Sequence, residues 1–399
     1  MIIEPKIRGY VCVTSHPIGC AQHVREQIEA ARAAAPLPHP PRRVLVVGSS
    51  TGYGLAARIV AAFGAGAETF GVFFERAPSN GRPASPGYYN ALAFEEEAAA
   101  AGLTAGSLNG DAFSDNVKDQ VMDRLEKEMG PVDLVIYSLA APRRNDPRTG
   151  ETYKSVLKPI GQSFRGKTVD TDKNQVQEVA IEPANQEEIE ATVKVMGGED
   201  WERWISALAD RGLLAPGFRT AAFSYLGPEV TWPIYRDGTI GRAKEDLDRA
   251  VEALNERYRE LGGEAVVAVN KAVVTQASSA IPVVPLYVAV LFRVMKEKGL
   301  HEGCVEQMIR LFGEKLSAEG SLPVEEDGRV HLDDREMRED VQEEVRRLWP
   351  LLHSDNLEEL TDYAGYRREF LRLFGFEVDG VDYREDVDPE KALVGGSAW

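Results

Sequence analysis

Two tyrosines and a lysine lie close together in the stretch from Tyr225 to Lys244, which reads YLGPEVTWPIYRDGTIGRAK. A phenol is a weak acid, and a neighbouring ammonium lowers its pKa from ~10 towards neutrality. Tyr235 beside Lys244 could therefore donate a hydrogen bond or a proton to an oxyanion that develops on a substrate. The stretch follows a predicted strand, AAFSYL, and enters a helix predicted to begin near Gly241.

A glycine-rich loop lies upstream, between the apolar strand VLVV and a helical pattern. Glycines at such a turn let the backbone bend tightly and approach a pyrophosphate, and the helix N-terminus then faces the anion. The spacing G-x-x-x-G-x-G differs from the common G-x-G-x-x-G, and an ordinary strand–helix turn is the alternative. The position of the loop in the first strand–helix unit favours a dinucleotide site. Its residues are Gly48, Ser49, Ser50, Thr51, Gly52, Tyr53 and Gly54.

A carboxylate ends the second predicted strand. Glu75 lies 21 residues after Gly54, close to the ~20 residues expected for an acid that binds a ribose in dinucleotide sites. Glu75 would accept hydrogen bonds from the ribose hydroxyls and repel a 2′-phosphate, so it favours NADH over NADPH. Arg76 could hold that phosphate instead, but we favour the interpretation of Arg76 as a solvated charge.

Two further strand ends carry candidate cofactor contacts. Asp111 closes the third strand, where it could reach an adenine amino group or simply serve as a turn residue in the sequence NGD. Ser138, Leu139 and Ala140 end the fourth strand, and their modest size would let a ribose lie against the backbone. All these positions fall at the carboxyl ends of strands, where open α/β sheets bind ligands.

Strands that are near-continuous apolar runs alternate with helical patterns over most of the chain. This alternation predicts an α/β fold, a Rossmann-type doubly wound parallel sheet with helices on both faces. The last strand of this sheet is predicted over residues 264–278. We expect a single elaborated domain whose parts are an N-terminal strand–helix extension (1–40), a dinucleotide-binding and catalytic core (41–142 and 215–320), an insertion with a hairpin near the substrate site (143–214), and an acidic helical region with a short β tail (321–399).

Composition excludes several classes of partner. The net charge of −18 argues against nucleic-acid binding and against adhesion to an anionic membrane. The apolar run at 280–292, AIPVVPLYVAVLF, is interrupted by prolines and is shorter than the ~18 residues of a membrane helix. It predicts a buried core helix, an apolar acyl channel, or both.

The cysteines and the N-terminus predict a cytoplasmic protein. Three cysteines, Cys12, Cys20 and Cys304, form no disulfide framework. The N-terminal MIIEPKIRGY carries charges where a signal peptide would need its apolar run. His16 lies four residues before Cys20, but no second pair of metal ligands follows at finger spacing, so we predict a structural turn and no metal site.

The combination of motifs resembles a known family. Tyr and Lys after the later strands of such a sheet are similar to the short-chain dehydrogenase/reductase arrangement, which usually has Tyr-x3-Lys, and Tyr-x6-Lys in the common enoyl reductases. Here the spacing is Tyr-x8-Lys. Together with GSSTGYG, PKIRGYVCVTSHPIGC and KSVLKPIG, this pattern resembles the FabV-type enoyl-acyl-carrier-protein reductases and the related trans-2-enoyl-CoA reductases over nearly the whole chain.

The resemblance implies a function and a set of site residues. It implies NADH-dependent reduction of the double bond of an enoyl thioester, carried by acyl carrier protein or CoA, as the last reductive step of fatty acid elongation. Tyr235 would be the proton donor, Lys244 would bind NAD, and Tyr225 would contact substrate, although a core role for Tyr225 stays open. The implied NAD contacts are Gly48 to Tyr53, Phe74, Glu75, Asp111, Ala112, Leu139, Ala140, Lys244, Val273, Val274 and Thr275.

Two alternatives and two further expectations complete the prediction. The chain could instead be a carbonyl-reducing short-chain enzyme or a nucleotide-binding regulator without turnover.

Residues 143–167 carry Arg143, Arg144, Arg148, Lys154, Lys158, Arg165 and Lys167 against two acids, a local charge of +5. This segment would receive the acidic carrier protein or the CoA phosphates, or would be a solvated loop. We expect no flavin, and we expect a monomer.

Overall fold

A computed structural model of the chain describes residues 1–317 and 320–390. Its strands are β1 (Ile7–Arg8), β2 (Val11–Cys12), β3 (Arg43–Val47), β4 (Glu68–Phe73), β5 (Ala105–Asn109), β6 (Val132–Tyr137), β7 (Arg143–Asn145), β8 (Thr152–Lys154), β9 (Phe164–Asp170), β10 (Gln175–Ile181), β11 (Leu214–Ser224), β12 (Glu264–Val269) and β13 (Val330–His331).

Helices separate most of these strands. They are α1 (Pro17–Ala33), α2 (Gly52–Ile59), α3 (Pro86–Ala100), α4 (Asp115–Glu128), α5 (Gln186–Met196), α6 (Glu199–Asp210), α7 (Thr239–Arg257), α8 (Gln276–Ser279), α9 (Val284–Glu297), α10 (Cys304–Arg310), α11 (Glu339–Leu348), α12 (Leu357–Leu360) and α13 (Tyr363–Arg372). Single π-helical turns extend α2 and α10.

Seven strands form one parallel sheet in the order β13-β12-β11-β6-β3-β4-β5. The chain runs outward from β3 through β4 to β5, then returns to β6 on the other side of β3. The direction of winding therefore reverses between β3 and β6, and the carboxyl ends of these two strands form the crevice where open α/β sheets bind ligands. The predicted doubly wound fold is confirmed.

Alternating side chains along each central strand build two apolar layers. Val44 and Val46 face the layer made by α1, α2 and α10. Leu45 and Val47 face the layer made by α4, α6 and α7. All four side chains are fully buried. Burial on both faces explains why β3 is a continuous apolar run rather than an alternating one.

A third apolar cluster lies around α9 and the loop after β12. It joins α9 to α11 and α13, and it includes Tyr235. Leu286 to Leu291 on α9 are almost completely inaccessible to solvent, so this helix belongs to the core, as one of the two sequence interpretations predicts. Among the described residues, no helix is both long and apolar enough to cross a bilayer.

The insertion forms two small sheets that are separate from the seven-stranded sheet. The hairpin predicted in the insertion is present as two antiparallel pairs, β7–β8 and β9–β10. The strand predicted over 264–278 is too long: β12 ends at Val269, and residues 270–275 form a loop before α8. The loop forms because its N–H groups donate to side chains, Lys271 to Gln307 and Ala272 to Glu336, instead of to a neighbouring strand.

The acidic C-terminal region was expected to be helical, yet it also supplies β13. Val330 and His331 pair with Ala268 and Val269 and complete the sheet at one edge. A two-residue strand has no periodicity from which it could have been predicted. The described tail up to residue 390 contains no further strand, and the rest of the predicted β tail lies outside the described residues.

Candidate active site

The glycine loop lies at the point where the direction of winding reverses. Gly48 has a φ of +92°, and a Cβ on this residue would lie 2.0 Å from the Ser138 carbonyl oxygen, at the end of β6. A Cβ on Gly54 would lie 1.8 Å from the Gly48 carbonyl oxygen. Only glycine fits either position, because the loop is packed against the next strand and against itself.

The loop leaves the N-terminus of α2 open to an anion. Thr51 precedes α2 in an extended conformation, but its side chain makes no capping hydrogen bond. The first N–H groups of the helix therefore lack a side-chain partner and can bind a phosphate. Gly52 faces Thr275, whose Cγ2 would lie 3.3 Å from a Cβ on Gly52. The structure thus brings the predicted cofactor segments 48–53 and 273–275 together, and they fit a dinucleotide.

The predicted ribose contact lies just after the end of β4. Glu75 accepts a hydrogen bond from the Ser50 hydroxyl at 2.7 Å, which links it to the glycine loop. Burial raises the pKa of Glu75 above its ordinary value. Phe74 beside it is 75% exposed, unusual for a large aromatic and suited to stacking on a base. The Arg76 guanidinium donates to the Pro83 carbonyl oxygen instead of facing Glu75.

Other predicted cofactor positions line the same edge. Asp111 accepts a hydrogen bond from the Phe113 N–H at 3.0 Å, so it closes a turn, as its structural alternative predicts. Ala112 is buried under the Trp204 indole, which donates to its carbonyl oxygen. Leu139 contacts the glycine loop near Gly48. These residues neighbour the crevice, and their contacts with a cofactor remain predictions.

The two tyrosines lie edge to face, with ring centroids 4.9 Å apart. Their hydroxyls differ in environment. Tyr225 donates to Glu336 Oε1 at 3.0 Å. The ring of Tyr235 is 6% exposed, and within residues 1–317 and 320–390 its hydroxyl has no hydrogen-bond partner. Of this pair, Tyr235 is therefore the hydroxyl that is free to bond a substrate.

The expectation that a cation lowers the pKa of Tyr235 is wrong for this geometry. Burial raises that pKa, and no charge counteracts it. Desolvation dominates because the Lys244 ammonium is turned towards the backbone of β11, where it donates to the Phe223 carbonyl oxygen at 3.0 Å. Tyr235 is thus a protonated hydrogen-bond donor at neutral pH.

The long spacing between Tyr235 and Lys244 has a structural explanation. Residues 231–238 form consecutive turns that fold back onto the start of α7, where the Gly241 N–H donates to the Tyr235 carbonyl oxygen at 3.1 Å. Lys244 lies in the second turn of α7 and is half-buried, and its partial removal from water lowers its pKa to about 8. The turns thus hold the Tyr235 backbone against Gly241, about one helical turn before Lys244.

A charged groove of about 520 Å³ adjoins this site. Tyr225 and Lys244 form part of one wall, and Arg329, His331 and Asp333 form part of the other. His331 lies between two aspartates, which raise its pKa to about 9. None of its lining residues comes from the stretch 280–292, so this groove is not the apolar channel predicted there.

Sequence reasoning missed a set of buried polar residues behind the tyrosines. Glu336, Lys271 and Gln307 are fully buried or nearly so. They connect Tyr225 to the loop after β12 and to Tyr53 in the glycine loop. No motif marks them, since they come from distant parts of the chain. His16, by contrast, has the predicted structural role: its Nδ1 accepts from the Gly19 N–H and caps α1.

Three family models match successive parts of the chain. Residues 2–80 match an NAD(P)H binding domain of trans-2-enoyl-CoA reductase. Residues 82–317 match a trans-2-enoyl-CoA reductase catalytic region. Residues 324–387 match an enoyl reductase FAD binding domain.

The residues of the third segment do not fit a flavin. No glycine lies between β13 and α11, so this strand and helix lack the turn that cradles a dinucleotide phosphate. A Cβ on Gly375 would lie 2.4 Å from the His16 carbonyl oxygen, which makes this glycine a packing residue. Helices α11 and α13 bury their apolar faces against α9. We derive no role for a flavin.

Known proteins resemble this chain over its full length. An enoyl-acyl-carrier-protein reductase (NADH) of Opitutus terrae is 57% identical over 394 residues, which cover 99% of this chain and 100% of that protein. A crystal structure of Treponema denticola trans-2-enoyl-CoA reductase in complex with NAD has a TM-score of 0.94 and 50% identity, covering 97% of this chain and 98% of that one. A Clostridium acetobutulicum trans-2-enoyl-CoA reductase in complex with NADH has a TM-score of 0.95 and 44% identity, with 98% of both chains covered.

Matching models over most of its length and a relative of this identity show that the chain belongs to the trans-2-enoyl-CoA reductase family.

Proposed function

We propose that this protein uses NADH to reduce the trans-2 carbon–carbon double bond of an enoyl thioester to the saturated acyl thioester. One observation carries the proposal: the buried Tyr235 has a hydroxyl without a partner in the described parts of the chain, next to a crevice that fits a dinucleotide. The names of the relatives point to the same reaction. In fatty acid elongation it would be the last reductive step.

The side chains fit the charge that this reaction develops. Bound NADH would supply the hydride that the β-carbon takes up. Negative charge then accumulates on the thioester oxygen, and the Tyr235 hydroxyl donates a hydrogen bond to it. Such a preorganised donor is worth several kcal/mol in a water-poor site. Tyr235 can pass its proton to this oxygen, and the resulting enol becomes the saturated thioester.

The remaining residues hold the reactants. Lys244 would bind the nicotinamide ribose, and Tyr225 would shape the substrate side of the site. Tyr235 packs in one cluster with the apolar helix α9, which supports an acyl chain lying along that helix. We assign the cofactor contacts to Gly48, Ser49, Ser50, Thr51, Gly52, Tyr53, Phe74, Glu75, Asp111, Ala112, Leu139, Ala140, Lys244, Val273, Val274 and Thr275.

Purified protein mixed with NADH and crotonyl-CoA is expected to consume NADH, followed as loss of its absorbance, and to yield butyryl-CoA. NADPH should support a slower reaction, because the Glu75 carboxylate at the end of β4 would repel a 2′-phosphate. Acetoacetyl-CoA offers a ketone in place of the double bond and is the control substrate.

The outcome separates the alternatives. Consumption of NADH with acetoacetyl-CoA but not with crotonyl-CoA would indicate a carbonyl reductase. Binding of NADH without turnover of any enoyl thioester would indicate a regulatory protein. Either result contradicts the proposed reaction.

The β7–β8 hairpin supports a docking site for the thioester carrier. Arg143 and Lys154 are directly opposite each other in this hairpin, and both side chains are exposed. Like charges at opposed positions of an antiparallel pair repel each other. Neither side chain has an ion-pair partner among the described residues, so the pair is suited to binding an anion.

The position of the hairpin relates it to the reacting centre. Arg143 follows Ala140 by three residues, so their Cα atoms are at most about 11 Å apart. The Ser155 hydroxyl donates to the Ala141 carbonyl oxygen at 2.8 Å and closes the base of the hairpin. A phosphate on the pantetheine arm, which CoA and acyl carrier protein share, would meet this cationic pair beside the cofactor edge.

The structure corrects the basic segment predicted from sequence. Arg144 is 1% exposed and donates to the Lys194 carbonyl oxygen, beside Asp146 and Glu199. Lys158 pairs with Glu188, and Lys167 bonds three backbone carbonyls. The charges of these three residues are already bound within the protein, so they do not belong to a docking surface. Arg143, Arg148, Lys154 and Arg165 stay exposed.

Reversing both charges of the pair, Arg143→Glu with Lys154→Glu, is expected to raise the KM for crotonyl-CoA and for crotonyl-acyl carrier protein by about tenfold, since exposed ion pairs contribute ~0.2–1 kcal/mol each and reversal adds repulsion. The KM for crotonyl-N-acetylcysteamine, which carries no phosphate, should not change. Added salt should weaken the effect.

A matched control makes the same change in net charge at the amino ends of the strands, on the side of the sheet away from the crevice. Lys127 ends α4 and Arg259 follows α7, and both are exposed. Lys127→Glu with Arg259→Glu should leave all three KM values unchanged. Equal effects of the two double variants, or no effect of the hairpin variant, would contradict docking at the hairpin.

Two further proposals concern the state of the protein. A cytoplasmic location agrees with the three free cysteines, Cys12, Cys20 and Cys304. A monomer agrees with the net charge of −18, which opposes self-association.

A further inference from the structure

Behind the two tyrosines, one buried carboxylate collects three hydrogen bonds. Glu336 lies between β13 and α11 and is 0% exposed. Its Oε1 accepts from the Tyr225 hydroxyl at 3.0 Å and from the Tyr287 hydroxyl at 2.6 Å. Its Oε2 accepts from the Ala272 N–H at 2.7 Å. One side chain therefore ties together the predicted substrate tyrosine, helix α9 and the loop after β12.

The same loop is fixed from its other side by the cofactor loop. The Tyr53 hydroxyl donates to the Lys271 carbonyl oxygen at 2.6 Å. Gln307 on α10 donates to Tyr53 and accepts from the Lys271 N–H at 2.8 Å. Residues 271 and 272 are thus held between Tyr53 and Glu336, immediately before the proposed cofactor contacts 273–275.

The bonding of Glu336 limits what Tyr225 can do. A phenol has one proton, and Tyr225 directs it to Glu336. Tyr225 therefore cannot donate to a thioester oxygen while this bond is in place. Tyr235, which packs edge to face on Tyr225, is left as the donor to substrate. The Glu336 carboxylate thus gives Tyr225 a structural role and leaves the bond to substrate to Tyr235.

We propose that Glu336 is a positioning residue for the reduction: its carboxylate fixes the direction of the Tyr225 hydroxyl and ties Tyr225 to the loop that carries the cofactor contacts 273–275. This inference rests on the proposed function. It gives Tyr225 a role that neither of its sequence interpretations includes. The Tyr225 ring packs against the ring of Tyr235. A shift of the cofactor loop would therefore move Tyr235 as well.

The charges around Glu336 suit this role. Burial raises the pKa of Glu336 above its ordinary value, and the Lys271 cation, which is 1% exposed, is the charge that counteracts this most strongly. The Lys271 ammonium donates to the Ala272 carbonyl oxygen at 2.7 Å, so it braces the same peptide that Glu336 binds. Gln342 donates to the Glu336 carbonyl oxygen at 2.7 Å and fixes its backbone.

A double-mutant cycle tests the proposal. Glu336→Gln offers only one carbonyl oxygen, so it cannot serve both the tyrosines and the Ala272 N–H. It is expected to lower kcat for crotonyl-CoA by about tenfold, the effect of losing one charge-assisted hydrogen bond. In the Tyr225→Phe background, the same change should lower kcat by less than about threefold. In that background Glu336 has already lost the Tyr225 hydroxyl through which it acts on Tyr235.

NADH affinity provides a readout that does not depend on turnover. Glu336→Gln should raise the Kd for NADH, measured by fluorescence titration, by about fivefold, since it releases the Ala272 N–H and the loop with it. Tyr225→Phe should leave this Kd within about twofold, since it keeps the bond between Glu336 and the loop.

A second buried carboxylate serves as the matched control. Asp200 is 1% exposed; like Glu336 it accepts from a tyrosine hydroxyl, that of Tyr137, and it accepts in addition from the Lys118 ammonium. Asp200→Asn should lower the thermal stability without lowering the kcat of the folded enzyme. If Glu336→Gln does not fold, Glu336→Asp keeps the charge but retracts it by one methylene, and it enters the same cycle.

The outcomes are distinct. If Glu336→Gln lowers kcat by the same factor in the wild-type and in the Tyr225→Phe background, the proposal is overturned, and an unchanged kcat and Kd would also overturn it. Wild-type protein that fails to oxidise NADH with any enoyl thioester would instead contradict the proposed function, before the cycle is measured.

Discussion

Replacing Tyr235 with phenylalanine is expected to lower kcat for crotonyl-CoA by about 10²- to 10⁴-fold, the contribution of a positioned proton donor. The variant removes one oxygen from a buried ring and breaks no hydrogen bond to the described residues. The fold and the free energy of unfolding should therefore change little. The variant loses stabilisation of the transition state, because only there does the thioester oxygen carry the charge that this hydroxyl stabilises.

NADH binding and a control variant show whether this loss is specific. The Kd for NADH should stay near the wild-type value, since the cofactor segments at 48–53 and 273–275 are untouched. Tyr258 is a second buried tyrosine just beyond the far end of α7, 8% exposed. Tyr258→Phe should leave kcat unchanged. If Tyr235→Phe keeps kcat within tenfold of wild type, another group donates the proton.

The sequence predicted the parts of this site that depend on local pattern. Apolar runs such as VLVV identified the central strands, and the glycine loop identified the N-terminus of α2. Their placement in the crevice followed from topology, because the carboxyl ends of parallel strands meet at one edge. Glu75 could be placed at this edge from its spacing to the glycine loop, whereas the role of Lys244 came from the family resemblance.

Contacts between distant segments could not be predicted. Glu336 bonds Tyr225 across 111 positions of sequence, and no motif surrounds it. The two-residue strand β13 forms only because Val330 and His331 meet the exposed edge of β12. The pKa of Tyr235 was predicted in the wrong direction for the same reason. Sequence shows which charges are near in the chain, but burial depends on the whole fold.

The basic segment illustrates a different limit. Composition counts Arg143 and Arg144 alike, whereas the hairpin turns one to solvent and the other to the interior. Arg144 then becomes part of a buried ionic cluster with Asp146 and Glu199. A local charge of +5 therefore overstated the charge available to a partner. Knowledge of the strand register was needed to separate the two faces.

Gly48→Ala is expected to weaken NADH binding by more than about 100-fold and to destabilise the fold. A non-glycine residue at positive φ carries strain of about 1–3 kcal/mol. At Gly48, whose φ is +92°, a Cβ would also lie 2.0 Å from the Ser138 carbonyl oxygen, which is backbone and cannot rotate away. The loop must then separate from β6, and the phosphate site at the N-terminus of α2 moves with it. Fluorescence titration with NADH and thermal unfolding measure the two effects.

Gly66 separates the contribution of the clash from that of backbone strain. Its φ is +70°, and a Cβ there would meet nothing within 4 Å. Gly66→Ala should therefore show a loss of stability of only about 1–2 kcal/mol, and its Kd for NADH should equal that of wild type, because Gly66 lies between α2 and β4 at the opposite edge of the sheet. Equal NADH affinities of Gly48→Ala and Gly66→Ala would mean that the close approach of the glycine loop to β6 does not form the cofactor site.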